Sequence, residues 1–414
     1  MTIQNRHFFD KEVHSLFPDI VEMRRYIHAH PEIGADQPQT VSYLAEQFKD
    51  MDVQMQYGEG HVGLVVDIVG QEPGPSLGFR ADTDALEIAE TKNIDHAPNR
   101  LGFTSTVNNH MHACGHDAHS AILAGFGKLV HAHRNQLKGR VRLLFQPGEE
   151  GFYGAARMVE KGYLAGLDRV FALHCHPALH TGQIGYRKGS IMAAVDVFMV
   201  KISGVGGHGA SPHTSTDQVL ALCRTVENLQ SIVSRRLDPL SSAVVSVCYL
   251  NAGGRDIKAI MPSEVEFGGT VRTLDTKVRE FIKNEFLNIC ESSVKSVHPD
   301  CRVDLDYHYG YDETINDEDT VEHVTAILSQ YMAPADLNTS FSPLLGSEDF
   351  SAMLKRVPGV MYFLGVTPRG VDTARVPFMH HPGFDIDEKA METGVQAFAN
   401  IAFNYSSSLM RPSE

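Results

Sequence analysis

No run in this sequence approaches the roughly 18 consecutive apolar residues that a membrane-spanning helix requires, which speaks against a helical membrane protein. Cysteine is scarce. The six present, Cys114, Cys175, Cys223, Cys248, Cys290 and Cys301, form no CxxC pair, so a disulfide-stapled scaffold is excluded and reduced thiols in a cytosolic protein are expected. Positive charge is in deficit: 36 Lys and Arg face 51 Asp and Glu, a formal net charge of -15. Such a surface repels a phosphate backbone and an anionic bilayer, and neither nucleic acid nor a membrane is expected as a partner. The opening segment, MTIQNRHFFDKEVHSLF, lacks the apolar stretch of roughly 7–15 residues and the small-residue cleavage site of an export signal. A cytoplasmic location is expected. Internal repeats and low-complexity linkers are missing as well.

What is present is an ordinary globular composition, 43% hydrophobic and 21% charged over 414 residues, enough chain for two or three domains of roughly 150 residues. Histidine is the oddity, with 22 residues against 21 Phe, several of them beside Cys, Asp or Glu. That pattern directs attention to metal ligation or proton transfer. Apolar strand-like runs ending in polar clusters recur in the first half: GLVVDIV, PSLGF before Arg80, RVRLLF before Gln146 and RVFAL before His174. Between them the stripe Ile122, Leu123, Phe126, Leu129 and Val130 marks a helix over 117–134. The alternation predicts an α/β fold with a helix-flanked mixed sheet, whose ligands gather at the carboxyl ends of strands.

From about residue 192 the texture changes. AVDVFMVKISG, a helical pattern from Asp217 to about Arg236, SAVVSVCYLNAGG, EVEFGGTVRTL and CRVDLDYHYG read as a smaller α+β domain inserted over 192–309, leaving 1–191 and 310–414 as the main domain. The strand VPGVMYFLGV then returns to the main domain, and a helix follows from Asp385, where D-x-x-E to Glu388 resembles a capping box. Its stripe is Met391, Val395, Phe398, Ala402 and Tyr405.

Four clusters carry chemistry. NNHMHACGHDAHSA, residues 108–121, offers a thiolate at Cys114 and an imidazole at His116 just before a helix whose opening dipoles favour the ionised thiol. Taken alone, it fits a metal site and a solvated histidine-rich loop about equally. FQPGEEG sets Glu149 and Glu150 side by side at a strand end, a costly arrangement unless a cation or shared proton lies between them, although exposed turns also carry such pairs. RVFALHCHP ends a strand on His174, and VPFMHHPGFD puts His380 and His381 in a Pro-flanked turn. Together Cys114, His116, Glu150, His174 and His380 supply about what two adjacent divalent ions with open water positions require.

MHACGHDAHSAILAG, FQPGEEG, LHCHP, GVGGHGASPH, GTVRT, GSEDF and HHPGFD, in this order and spacing, resemble the aminoacylase/carboxypeptidase metallohydrolase superfamily, peptidase M20. The resemblance runs from His28 to Glu32 through the last helix. It is strongest to the branch of hippurate hydrolases, N-acyl-amino-acid deacetylases and auxin-conjugate hydrolases. It implies a dinuclear centre held by Cys114, His116, Glu150, His174 and His380, with Glu149 as the general base acting on a metal-bridging water. The inserted domain corresponds to a lid and dimerisation domain, whose His208 reaches a neighbouring active site and helps stabilise the oxyanion. Arg272 of GTVRT matches the position that receives a substrate carboxylate. Asp82 and Asp84 fit acceptors behind the ligand imidazoles, or N-cap or turn residues.

Two departures stand out. Where the family reads NVIP this chain reads AIMP, with Ala259 replacing an Asn that helps bind substrate, and where the family reads HSP, His381 follows His380. The resulting expectation is a dinuclear metal-dependent amidohydrolase that cleaves N-acyl amino acids to a carboxylic acid and a free amino acid, working as a homodimer or higher homo-oligomer. Two divalent ions per subunit are expected, zinc first, with manganese and cobalt as the alternatives. The competing readings are a dipeptidase or aminopeptidase on the same scaffold, a cysteine-nucleophile hydrolase built on Cys114, and a silent binding protein. The last would show damage at the base or ligands, and none is visible.

Overall fold

A computed structural model describes residues 9–405; residues 1–8 of the amino-terminal segment weighed above lie outside the described residues. The chain divides into two compact units, one made of residues up to Gly189 with Ile315–Ser342 and the chain from Asp349, the other of Ser190–Thr314 with Pro343–Glu348. The fold is α/β. Among the described residues no helix is long and apolar enough to cross a membrane.

The first unit is built on an eight-stranded mixed sheet. Its centre is a parallel set in the order Lys138–Gln146, Glu72–Asp82, Arg169–His180 and Gly359–Thr367, with Gln54–Gln56 and Leu64–Val69 added antiparallel on one side. These central strands are buried almost without alternation, as strands covered on both faces must be. Phe79 packs against Phe126, Phe171 and Phe398 at ring-centroid distances of 4.7, 5.2 and 5.0 Å, tying the sheet to helices His116–Ala132 and Ala390–Asn404.

The last helix begins at Ala390, five residues later than the capping-box pattern at Asp385 predicts. The two acidic residues of that pattern are taken by arginines instead. Asp385 accepts from Arg24 at 2.8 Å, and Glu388 accepts from Arg24 at 3.2 Å and from Arg25 at 2.7 Å. Arg24 also donates to Asp117 at 3.0 Å from a fully buried position. A buried guanidinium needs such partners more than a helix end needs a cap.

His28 extends this network, with Nδ1 2.8 Å from Asp117 and Nε2 3.0 Å from Glu90. Both ring nitrogens face carboxylates, so both donate and the ring is charged. Burial disfavours that charge, but the bonds to Asp117 and Glu90 outweigh it and raise the pKa to about 9. A raised folded-state pKa contributes stability that is complete below about 6.5 and lost as pH rises through about 9. The melting temperature of the wild type is therefore expected to fall by a few degrees between pH 7 and pH 10, more than that of His28→Gln. Parallel profiles for the two proteins would remove His28 as the titrating group.

The second unit is an antiparallel sheet in the order Ala243–Ala252, Glu264–Thr273, Ala194–Ser203 and Arg302–Tyr309. Helices Gln218–Leu229 and Thr276–Val297 cover one face over a core that includes Phe198, Val200, Ile202, Phe267 and Phe286. The helical pattern expected over 217–236 is interrupted: Asp217 caps the first helix, and a separate π-helical turn spans Ile232–Arg236.

Candidate metal centre

The carboxyl ends of the parallel strands supply most of this site. Ala172 stands opposite Arg80 in the sheet, and Asp82 opposite Gln146. His174, two residues beyond Ala172, is thereby level with Asp82, while Glu149 and Glu150 follow in the turn after Gln146. The helix His116–Ala132 starts at the same edge, after Gly115 in the left-handed region at φ 87°. A side chain at Gly115 would sit 3.1 Å from Cβ of Cys175. Glycine therefore lets the Cys114–His116 segment press against the strand that carries His174.

Six of the eight residues singled out in the sequence meet here. Cys114 Sγ lies 3.5 Å from His174 Nε2, and His380 Nε2 lies 3.0 Å from Glu150 Oε1. Ligand atoms of Cys114, Glu150 and His380 fall within 4.8 Å of one another, as do those of His116, Glu149 and Glu150, and those of Asp82, His116, His119 and His174. His380 adopts φ 66° and donates its backbone N–H to Ala113 O at 2.8 Å. His381 is turned to its own loop, its Nδ1 accepting from Gly383 N at 3.0 Å.

The donor set fits divalent cations. His116 donates Nδ1–H to Asp84 O and His174 donates Nδ1–H to Cys175 O, both at 2.8 Å, which leaves Nε2 of each ring as the nitrogen that can bind a cation. Nε2 of His116 is buried without a hydrogen-bond partner. Burial, then the Glu150 and Glu149 carboxylates, push the Cys114 thiol well up. Burial opposes charge on His116, yet Asp82, Asp84 and Glu150 raise its pKa to about 10. So many carboxylates about one buried thiol ask for a cation, which replaces the protons on Cys114 and His116.

The supporting residues were only partly legible. The Asp84 carboxylate accepts the backbone N–H of Glu149 and of Glu150, both at 3.0 Å, so it shapes the turn while its carbonyl orients His116. His119, three residues after His116 on the same helical face, bonds Asp82 through Nδ1 and accepts Cys175 N–H at 2.8 Å through Nε2. Asp82 is held well below the usual carboxylate range, against burial, by Arg80, His116 and His119.

The other two candidates belong to the second unit. His208 is exposed in a short strand opposite Ile260, and Ala259 O accepts Gly209 N–H at 2.8 Å. Arg272 is half-buried in strand Glu264–Thr273, where Nη1 bonds Thr270 Oγ1 and reaches Val271 O at 3.3 Å.

Residues 78–404 match peptidase family M20/M25/M40. The chain is 35% identical over 378 residues to the N-acetyl-L-cysteine deacetylase of Bacillus subtilis (strain 168), covering 91% of this chain and 86% of that one. It is 33% identical over 398 residues to the IAA-amino acid hydrolase ILR1-like 4 of Arabidopsis thaliana, with coverage of 94% and 86%. The crystal structure of the Bacillus subtilis YXEP protein, described as a dinuclear metal binding peptidase from the M20 family, superposes with a TM-score of 0.77 at 29% identity, over 94% of this chain and 98% of that one.

Proposed function

The chain belongs to peptidase family M20/M25/M40, a family of metal-dependent hydrolases, and from that membership we propose that it cleaves the amide bond of N-acyl amino acids to a carboxylic acid and a free amino acid. The observation that carries this reading is that the Cys114, Glu150 and His380 donors lie within 4.8 Å of one another, as do those of His116, Glu149 and Glu150, with Cys114 Sγ 3.5 Å from His174 Nε2. Cys114, His116, Glu150, His174 and His380 would hold two divalent ions, zinc by the thiolate and imidazole donors, with manganese and cobalt admitted by the carboxylate. Such ions, when bound, polarise a carbonyl and make water ionisable near neutral pH.

The chain's own groups do the rest. Glu149 takes the proton of the attacking water and passes it to the leaving amine nitrogen. Asp84 keeps Glu149 and Glu150 on adjacent, rigidly held backbone positions, so one carboxylate stays a ligand while the other moves protons. Arg272 receives the substrate's α-carboxylate through its planar fork, and carries more of that recognition because Ala259 offers no amide. The second unit serves as lid and dimerisation domain, and its His208 reaches the site of a partner copy to stabilise the oxyanion. The names of the relatives, a deacetylase and an amino acid conjugate hydrolase, agree with this substrate class. A cytoplasmic homodimer is the state we propose.

The deciding assay is metal-reconstituted hydrolysis of acetyl-, benzoyl- and indoleacetyl-amino acids beside dipeptides. Turnover of dipeptides alone would overturn the reading in favour of a dipeptidase. Chelation is expected to abolish activity, which a cysteine nucleophile would survive. Cys114→Ser should lose metal before anything else, because a hydroxyl is a far poorer ligand than a thiolate at neutral pH; full metal content in that variant would remove Cys114 from the ligand set. Mixing inactive His208→Ala with inactive Glu149→Gln chains should restore part of the activity, since one site of the mixed dimer regains both groups. No recovery, with subunit exchange demonstrated, would confine His208 to its own chain.

A further inference from the structure

The sheet of the second unit has one face covered by helices and one open. On strand Ala194–Ser203 the inward residues Phe198, Val200 and Ile202 are buried, while Val197 and Met199 are 48% and 41% exposed. Residues paired across adjacent strands share a face. Arg272 pairs with Val244 on one side and Val195 on the other, and the next row is Ser246, Thr270 and Val197. The open face is therefore uneven. Its far end carries Glu264, Glu266, Lys201, Asp304 and Arg302, an ordinary solvated set. In the row of Arg272 it carries two valines, where an exposed antiparallel face calls for polar residues, and the next row sets Val197 beside Thr270 and Ser246.

Arg272 itself is incompletely used. One arm is fixed by Thr270 and Val271, and among the described residues its other N–H groups have no hydrogen-bond partner and no carboxylate pairs with it. A half-buried guanidinium with free donors, set between two valines, is a receptor for an anion whose next atoms are apolar.

We propose that Val195 and Val244, with Val197 beyond them, select N-acyl amino acids whose side chain is apolar. This rests on the reading that Arg272 receives the α-carboxylate. The carboxylate carbon is bonded directly to Cα, so the side chain leaves the substrate one bond from the anchored group and falls on the flanking surface. An aliphatic or thioether side chain gains contact there. A charged one loses water without finding a partner.

The test is a kcat/KM series with one acyl group and varied amino acid: N-acetyl-leucine, -methionine, -glycine and -aspartate. Leucine and methionine are expected to exceed glycine by about tenfold or more, as one or more buried carbons do in a hydrophobic pocket, with aspartate below glycine. Val195→Thr combined with Val244→Thr keeps shape and strand preference, and should lower the leucine value about tenfold while leaving glycine within about twofold. Unchanged glycine turnover also reports an intact fold. Equal values for leucine, glycine and aspartate in the wild type, or an equal loss on leucine and glycine in the double variant, would overturn the inference. Arg272→Leu separates the underlying reading: it should cost roughly ten- to a hundredfold on free acids and little on the corresponding amides. Equal loss on acids and amides sinks the carboxylate reading, whereas a flat side-chain profile with that difference intact sinks only the role of the valines.

Discussion

Glu149→Gln is expected to lower turnover by about 10²–10⁴-fold, the usual contribution of a general base, while metal content stays at the wild-type level. The substitution keeps the shape of the side chain and removes only its capacity to take and return a proton. The local backbone should hold, because Asp84 grips the main-chain N–H of Glu149 and not its carboxylate. KM should change little, since the lost interaction belongs to the transition state. Glu150→Gln provides the contrast: a neutral amide is a poorer ligand, so its activity and metal content should fall together. Activity of Glu149→Gln within tenfold of wild type would assign proton transfer elsewhere, and loss of metal would make Glu149 a ligand.

The contrast between these two neighbours shows what the sequence discloses and what it withholds. Strand ends were readable because an apolar run that stops at a polar cluster is a local signal. RVRLLF before Gln146 became strand Lys138–Gln146, whereas the strand of RVFAL runs on past His174 to His180, held there by its pairing with Gly359–Thr367; the parallel order of the two turned separate motifs into one edge. Period two is another local signal, and strand Ala194–Ser203 shows it, buried residues alternating with exposed or half-buried ones. What stayed hidden depends on partners far along the chain. Nothing local says that Asp385 and Glu388 serve Arg24, some 360 residues away in sequence, so a capping pattern was legible where none forms. His119 offered a usable signal, its three-residue spacing from His116. Its task, carrying the Asp82 carboxylate to the Cys175 N–H, required the sheet register.

The buried charge behind the site is the clearest such case, and Arg80→Met is expected to destabilise the protein by about 3–5 kcal/mol, the cost of removing one partner from a buried ion network. Arg80 is fully buried. Its Nη1 donates to Asp82 at 2.8 Å, Nε to Gln146 at 2.9 Å and Nη2 to Asp349 at 3.1 Å. Asp349, from the GSEDF segment, also accepts Gln146 Nε2 at 2.7 Å and Ala155 N–H at 2.8 Å. Methionine fills most of the volume, so a cavity would not account for the loss; two buried carboxylates without their cation would. Total stabilities are only about 5–15 kcal/mol, and the denaturant midpoint should fall sharply. Arg80→Lys keeps the charge without the fork and should lie between. The sign of the pH effect identifies the cause. In the wild type the depressed pKa of Asp82 contributes stability above its ordinary value of 3.8, and that contribution is lost as pH falls below it. Without Arg80 only His116 and His119 oppose burial, so the same carboxyl titrates higher than in the wild type and protonation relieves it. The deficit of the variant should be largest near pH 7 and shrink below about pH 4. Because Asp82 also orients His119 beside His174, metal affinity should fall in the same variant at neutral pH. A loss of less than about 1 kcal/mol, or a deficit independent of pH, would mean that the arginine contributes packing and not charge.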